Sequence, residues 1–205
     1  MEWYNDYYLL GIIWGLGGWV ESDNVMVFRH KDKHFIEALN NYFDKGIYSQ
    51  EVKNYKQYVL KVYDFEIDRL VKMGWSNRSA DIRELPLISD YKDFTRAYIE
   101  LHSKLDYSTR YRRKPREGKY RALRLRVYGN RELIEGINRV FNKYCGCTLK
   151  TIQDLKLNNK TFYVAYASYK EIENIYDWLW NKKSYNKQYW DDVEEKFKTP
   201  VLLLE

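Results

Sequence analysis

Proline is nearly missing from this chain, with 3 residues in 205, which excludes a collagen-like, proline-rich or linker-dominated architecture and leaves helices and strands few interruptions. Cysteine is as scarce. Cys145 and Cys147 are the only two and stand one glycine apart, so no disulfide framework is available and neither a zinc knuckle nor a dithiol redox motif is spelled out. This fits a reduced, cytoplasmic setting. Histidine occurs three times, at 30, 34 and 102. His30 and His34 have an i, i+4 spacing but straddle an expected strand–helix junction, so no metal site is expected. The apolar run from Tyr8 to Trp19 is too short for a bilayer, which takes about 20 residues, and the acidic opening from Met1 to Asp6 lacks the basic start of a signal peptide. Phosphate loops, nucleophile motifs and dinucleotide fingerprints are also missing, so no cofactor is expected.

What the chain has is length for a real core, a net charge of +6, and 21 tyrosines beside 7 tryptophans and 8 phenylalanines. Gly11 and Gly15 lie one turn apart in the first apolar run. Glycine inside a helix costs about 1 kcal/mol relative to alanine, so this pair implies close approach of another backbone. Downstream, residues 24–30 read as a strand, 33–44 as a helix, 47–53 and 57–63 as strands, and 64–73 as a helix. A polar connector over 76–89 leads to a second apolar helix at 91–101. Then follow strands at 105–112 and 119–128, a helix at 130–143 with Asn130 as N-cap, strands at 148–153 and 161–167, a helix at 169–180, and an amphipathic segment at 185–197.

The order repeats, and so do residues. Phe35-Ile36-Glu37-Ala38-Leu39-Asn40-Asn41-Tyr42-Phe43 aligns with Leu133-Ile134-Glu135-Gly136-Ile137-Asn138-Arg139-Val140-Phe141. Tyr58-Val59 and Glu66-Ile67 align with Tyr163-Val164 and Glu171-Ile172, and the first apolar helix with residues 94–103. Each copy reads αββαββα, a duplication far more specific than any short motif here. The expected divisions are a first repeat at 1–75, the connector at 76–89, a second repeat at 90–182, and a C-terminal helix and tail at 183–205.

With Leu9-Leu10-Gly11-Ile12-Ile13-Trp14-Gly15-Leu16-Gly17 in place of the motif, and Gly74-Trp75-Ser76-Asn77-Arg78-Ser79 with Leu85-Pro86 as connector, the chain resembles a two-repeat, single-chain LAGLIDADG homing endonuclease. Asp93 to Tyr98 resembles the entry to the second motif helix. The resemblance implies an α+β fold of two pseudo-symmetric αββαββα repeats. It implies a saddle of two four-stranded sheets in the DNA major groove, and motif helices packed side by side with Gly11, Gly15 and Ala97 at their interface. It also implies an acidic residue at the eighth motif position of each helix to bind divalent metal. Those positions hold Leu16 and His102 instead. Leucine offers no ligand and imidazole suits Mg²⁺ poorly. Glu21, Asp23 and Glu100 are the acids that would have to substitute; Glu21 and Asp23 are expected in a strand leading away from the helix pair.

The most charged stretch runs from Arg110 to Arg131. Its Arg110, Arg112, Arg113, Lys114, Arg116, Lys119, Arg121, Arg124 and Arg126 are candidate DNA contacts, with Lys53, Lys56 and Lys61 as weaker candidates in the first copy. Leu123, Leu125 and Val127 alternate with Arg124 and Arg126, which aims the arginines away from the core. The favoured reading is a catalytically inactive, monomeric protein that binds double-stranded DNA on this scaffold and regulates a mobile element or phage. Two others stay open: a module for a nucleotide signal or protein partner, and an active metal-dependent nuclease with relocated acids.

Overall fold

The computed structural model describes residues 6–43, 47–52, 55–77, 82–112, 118–155, 161–180, 186–198 and 203–204, with 48, 50–52, 55, 56, 112, 203 and 204 described by their backbone only. The first half contains α1 (Tyr7–Leu16), β1 (Gly18–Val20), β2 (Val25–His30), α2 (Lys33–Phe43), β3 (Ile47–Val52), β4 (Tyr55–Tyr63) and α3 (Ile67–Lys72). The second contains α4 (Lys92–His102), β5 (Ser103–Arg112), β6 (Gly118–Gly129), α5 (Arg131–Cys145), β7 (Gln153–Asp154), β8 (Phe162–Tyr166) and α6 (Tyr169–Leu179), followed by α7 (Lys187–Lys198) and β9 (Leu203–Leu204). Both halves thus run αββαββα. Both sheets are antiparallel with the same path, β1-β2-β4-β3 and β5-β6-β8-β7. Two compact units divide between Leu101 and His102.

In the first unit, Asp6 caps α1 by accepting a hydrogen bond from the Leu9 amide at 3.0 Å. Every residue from Tyr8 to Gly15 is buried, and α4 is buried without a break from Phe94 to Glu100. Helices covered on all sides need a close-packed partner, and glycine supplies it. A Cβ at Gly11 would sit 2.3 Å from the Phe94 carbonyl oxygen and 2.7 Å from the Ala97 Cβ. Trp14 meets Phe94 edge to face, 5.7 Å between centroids.

The connector is tied to the end of α1. Buried Arg83 donates to the carbonyls of Trp14 and Ser76 and lies 5.0 Å over the Trp75 ring, while Trp14 Nε1 donates to the Glu84 carbonyl at 2.8 Å. A guanidinium at a helix C-terminus satisfies an orphan carbonyl and complements the helix dipole.

Met26, Phe28, Leu60 and Val62 form the helix-facing side of the first sheet, where Phe28 stacks on Phe43 of α2. In the second sheet the corresponding side is Leu105, Leu123, Leu125, Val127, Val164 and Tyr166, with Phe141 of α5 edge-on to Tyr166.

Three local outcomes differ from the sequence expectation. The strand that the αββαββα order places between α1 and β2 is only three residues long and lies at Gly18–Val20, before Glu21 and Asp23. Glu21 to Asp23 form an exposed 3₁₀ turn between β1 and β2 rather than part of a strand. The expected strand at 148–153 shrinks to Gln153–Asp154, because side chains hold the preceding backbone. Asn138 donates to the Lys150 carbonyl at 2.8 Å and accepts from its amide at 3.3 Å, and Glu171 accepts from the Thr148 amide at 2.8 Å. Those bonds take the place of a ladder. Asn130 occupies the N-cap position of α5 without making a side-chain cap bond. Among the described residues, no helix is long and apolar enough to cross a membrane.

Candidate nucleic-acid interface

The long β5–β6 hairpin carries the charge, and its pleat sorts that charge by face. Arg124 and Arg126 alternate with buried Leu123, Leu125 and Val127, so they project away from the helices. In register on β5, Asp106 faces Arg124, Lys104 faces Arg126, and Arg110 faces Tyr120. Tyr128 and Tyr163 extend the same face onto β8, 5.8 Å between ring centroids, and the Arg126 guanidinium lies 5.6 Å from the Tyr128 ring.

Lys119 and Arg121 have the other parity and fall on the helix-facing side, beyond the core. Arg121 lies 5.2 Å over Tyr107, whose hydroxyl donates to the Lys196 carbonyl of α7, and Lys119 lies 5.8 Å over the exposed Tyr111 ring. The basic run is therefore divided between two faces. Arg113, Lys114 and Arg116 lie outside the described residues, and of Arg112 only the backbone, in β5, is described.

Asp106 is the residue that sequence inspection overlooks. Its carboxylate receives Arg124 at both oxygens, Nε at 3.0 Å and Nη2 at 3.2 Å, and also Nη2 of Arg126. All three side chains are one-fifth to one-third exposed. Partial burial pushes the Asp106 carboxyl up, but hydrogen bonds and charge from the two guanidiniums outweigh it and hold it below its ordinary value. The same hydrogen bond raises Arg124 further. Partial burial also raises the Tyr128 phenol, against the opposing charge of Arg126. Two cations share one anion here, so the centre of the face carries a reduced positive charge with both arginines fixed in direction.

The first sheet differs on its corresponding side, whose centre is buried. Val25, Val27 and Val59 form a buried cluster with Val20 packed against it. Around it on that face stand half-buried Lys61, exposed Arg29 and half-exposed Tyr63. Methyl groups fill the centre where the second sheet has arginines. Lys53 lies outside the described residues, and of Lys56 only the backbone, in β4, is described.

No protein-family model matches the chain, and no curated protein matches it in sequence. Solved structures do. The meganuclease I-SmaMI bound to uncleaveable DNA superposes with a TM-score of 0.63 at 10% identity, covering 93% of this chain and 89% of that one. The I-LtrWI LAGLIDADG homing endonuclease bound to target DNA gives 0.61 at 16% identity, covering 95% and 91%. The LAGLIDADG homing endonuclease I-GzeII in complex with its DNA target gives 0.58 at 14% identity, covering 95% and 91%. The fold is that of the LAGLIDADG homing endonucleases.

α1 and α4 carry the two stretches that resemble the motif in sequence, and the positions aligned with its eighth residue are the last residues of these helices. Leu16 is half-buried hydrocarbon, and His102 ends α4. Glu100, two residues earlier, has a side chain 1% exposed. It accepts the hydroxyl of Tyr8 and lies 3.9 Å from Arg96, whose guanidinium sits 4.8 Å over the Tyr8 ring. Glu100 is thereby engaged in joining α1 to α4. Among the described residues, no three His, Cys, Asp or Glu side chains come together as a metal-binding group. Sequence reasoning also passed over Lys104 and Arg29, which lie apart from the basic run and join these faces only through strand pairing.

Proposed function

We propose that this chain binds double-stranded DNA and does not cut it. The carrying observation is the outward face of the second sheet, where Arg124, Arg126, Lys104, Arg110 and the Tyr128–Tyr163 pair stand together on one antiparallel surface. Arginine suits both phosphate oxygens and the guanine edge in the major groove, and the solved structures sharing the fold are described with DNA bound. The valine cluster at the centre of the first sheet is buried and exposes nothing to a base edge, leaving Arg29 and Lys61 beside it, so the grip falls mainly on the second half of the chain.

Loss of cleavage rests on chemistry. Divalent metal in a hydrolytic site needs hard oxygen ligands, and the ends of the motif helices offer Leu16 and His102, with Glu100 already committed to Tyr8 and Arg96. Glu21 and Asp23 lie in an exposed turn. The residues present do not fit a two-metal site. The role proposed with this reading is that of a cytoplasmic, monomeric regulator of a mobile element or phage.

Two measurements test this. Fluorescence anisotropy with a random duplex across a salt series should show binding that weakens with salt, and Arg124→Ala with Arg126→Ala should flatten the dependence by about two counterions; an unchanged slope rejects the interface. Incubation with a mixed plasmid pool and Mg²⁺ or Mn²⁺ should give no cuts, and cuts abolished by Glu100→Gln would reinstate a nuclease.

A further inference from the structure

A second site lies on the helix side of the second unit, away from the arginine face. α6 and α7 line a half-open cavity of about 320 Å³, a volume at the lower end of small-ligand sites. Aromatic rings build it. Tyr176 meets both Trp190 (5.8 Å, 89°) and Phe197 (5.5 Å, 81°) edge to face, Trp180 meets Trp190 (5.3 Å, 82°), and Tyr169 meets Phe197 (5.6 Å, 73°). Tyr176 and Trp190 are buried at 5% exposure each, whereas Tyr169 and Trp180 remain 48% and 49% exposed. Hydrophobic packing of two helices would cover such rings, and these two are left half open at the margin.

The remaining lining is charged with one sign. Glu173, Asp177 and Glu194 border the cavity and, among the described residues, no basic one does, although the chain as a whole carries +6. Lys170 pairs with Glu173 and Lys198 with Glu194, but both lysines are about three-quarters exposed, and such surface pairs hold weakly. Among the described residues, no base pairs with Asp177. Aromatic faces carry negative quadrupole potential, and carboxylates beside them deepen it. An anion or nucleic acid would be repelled here, and a neutral apolar ligand would gain nothing from the acids.

We propose that this cavity binds a small organic cation, an ammonium head on a compact apolar body, with Trp180 over the head and Asp177, one turn before it on α6, supplying the counter-charge. The assignment does not depend on DNA binding, because the cavity lies on the opposite side of the sheet from Arg124 and Arg126.

The test is an NMR titration of the full chain with choline and, in parallel, with 3,3-dimethylbutan-1-ol, its uncharged isostere. Choline should give saturable shifts of the Trp180 and Trp190 indole signals at millimolar concentration, with the alcohol binding about tenfold more weakly. Trp180→Ala should weaken choline about fivefold or more while leaving the melting temperature nearly unchanged, since that ring is half exposed. Asp177→Asn, at an exposed position, is the second variant and should weaken choline and leave the alcohol unaffected. Equal affinity for choline and alcohol, no saturation by about 20 mM, or unaltered binding in both variants overturns the proposal.

Discussion

Asp106 stands directly across the β5–β6 ladder from Arg124 and holds it through both carboxylate oxygens, at 3.0 and 3.2 Å, while also receiving Arg126 from two residues further along the strand. The two arginines proposed to meet DNA are therefore already engaged within the sheet. A phosphate must compete with that carboxylate, and the carboxylate's charge opposes the approach of the DNA backbone.

Replacing Asp106 with Asn removes the charge at almost constant shape. Non-sequence-specific duplex binding should tighten about two- to fivefold, the worth of a partly exposed ion pair, and its salt dependence should steepen. Anisotropy titrations at several salt concentrations measure both. Weaker binding would mean that the carboxylate serves to orient the arginines rather than to restrain them.

The same residue gives the fold an acid-sensitive joint. Its folded pKa lies below its ordinary value of 3.8, so the unfolded chain takes up the proton first as pH falls. The stability it contributes is present above that ordinary value and drains away as pH drops through the folded one. Glu171, partly buried but held down by Lys150 and Thr148, behaves in the same direction. Thermal melts from pH 6 to about 3 should show the wild type losing stability at the acid end, with a smaller acid loss in Asp106→Asn. Parallel curves would remove Asp106 from the acid response.

At Gly11 the packing leaves no room for a methyl group. Gly11→Ala should gain about 1 kcal/mol of helix propensity and lose more through the forced separation of α1 from α4, for a net destabilisation of about 1–2 kcal/mol. Urea unfolding reads this directly. A stabilised variant would show that the two helices part easily.

Arg83 belongs to the connector yet completes α1. Arg83→Ala should cost about 2–3 kcal/mol, because the Trp14 and Ser76 carbonyls lose a buried donor. Arg83→Lys should recover only part, since an ammonium lacks the planar fork that reaches both oxygens. A loss no larger than that of a surface substitution would show that water replaces the guanidinium at no cost.

The fold was legible where periodicity and repetition reinforce one another. Phe35 to Phe43 and Leu133 to Phe141 announce equivalent helices, and Gly11 announces a close crossing. Residues 148–153 misled because their composition suits a strand, while the groups that hold that backbone, Asn138 and Glu171, are distant in sequence. β1 was legible only through the repeat order, because three residues beside a glycine pair leave no periodicity to read. The candidate site was legible in its arginines and hidden in its anion. Counting charge along the chain gathers Arg110 to Arg131 into one patch, whereas the pleat sends Lys119 and Arg121 to the helix side, and Asp106 reaches Arg124 only through the ladder.

Four consecutive residues of β2, Val25 to Phe28, are at most 1% exposed, so this strand has no solvent face over that length although it alternates sides like any other. It also has a strand on each edge, β1 and β4. Its amides can exchange with solvent only when the first sheet comes apart. In hydrogen–deuterium exchange, Met26 and Val27 should be among the last positions of the first unit to label, at a rate set by unfolding of that sheet rather than by local fraying.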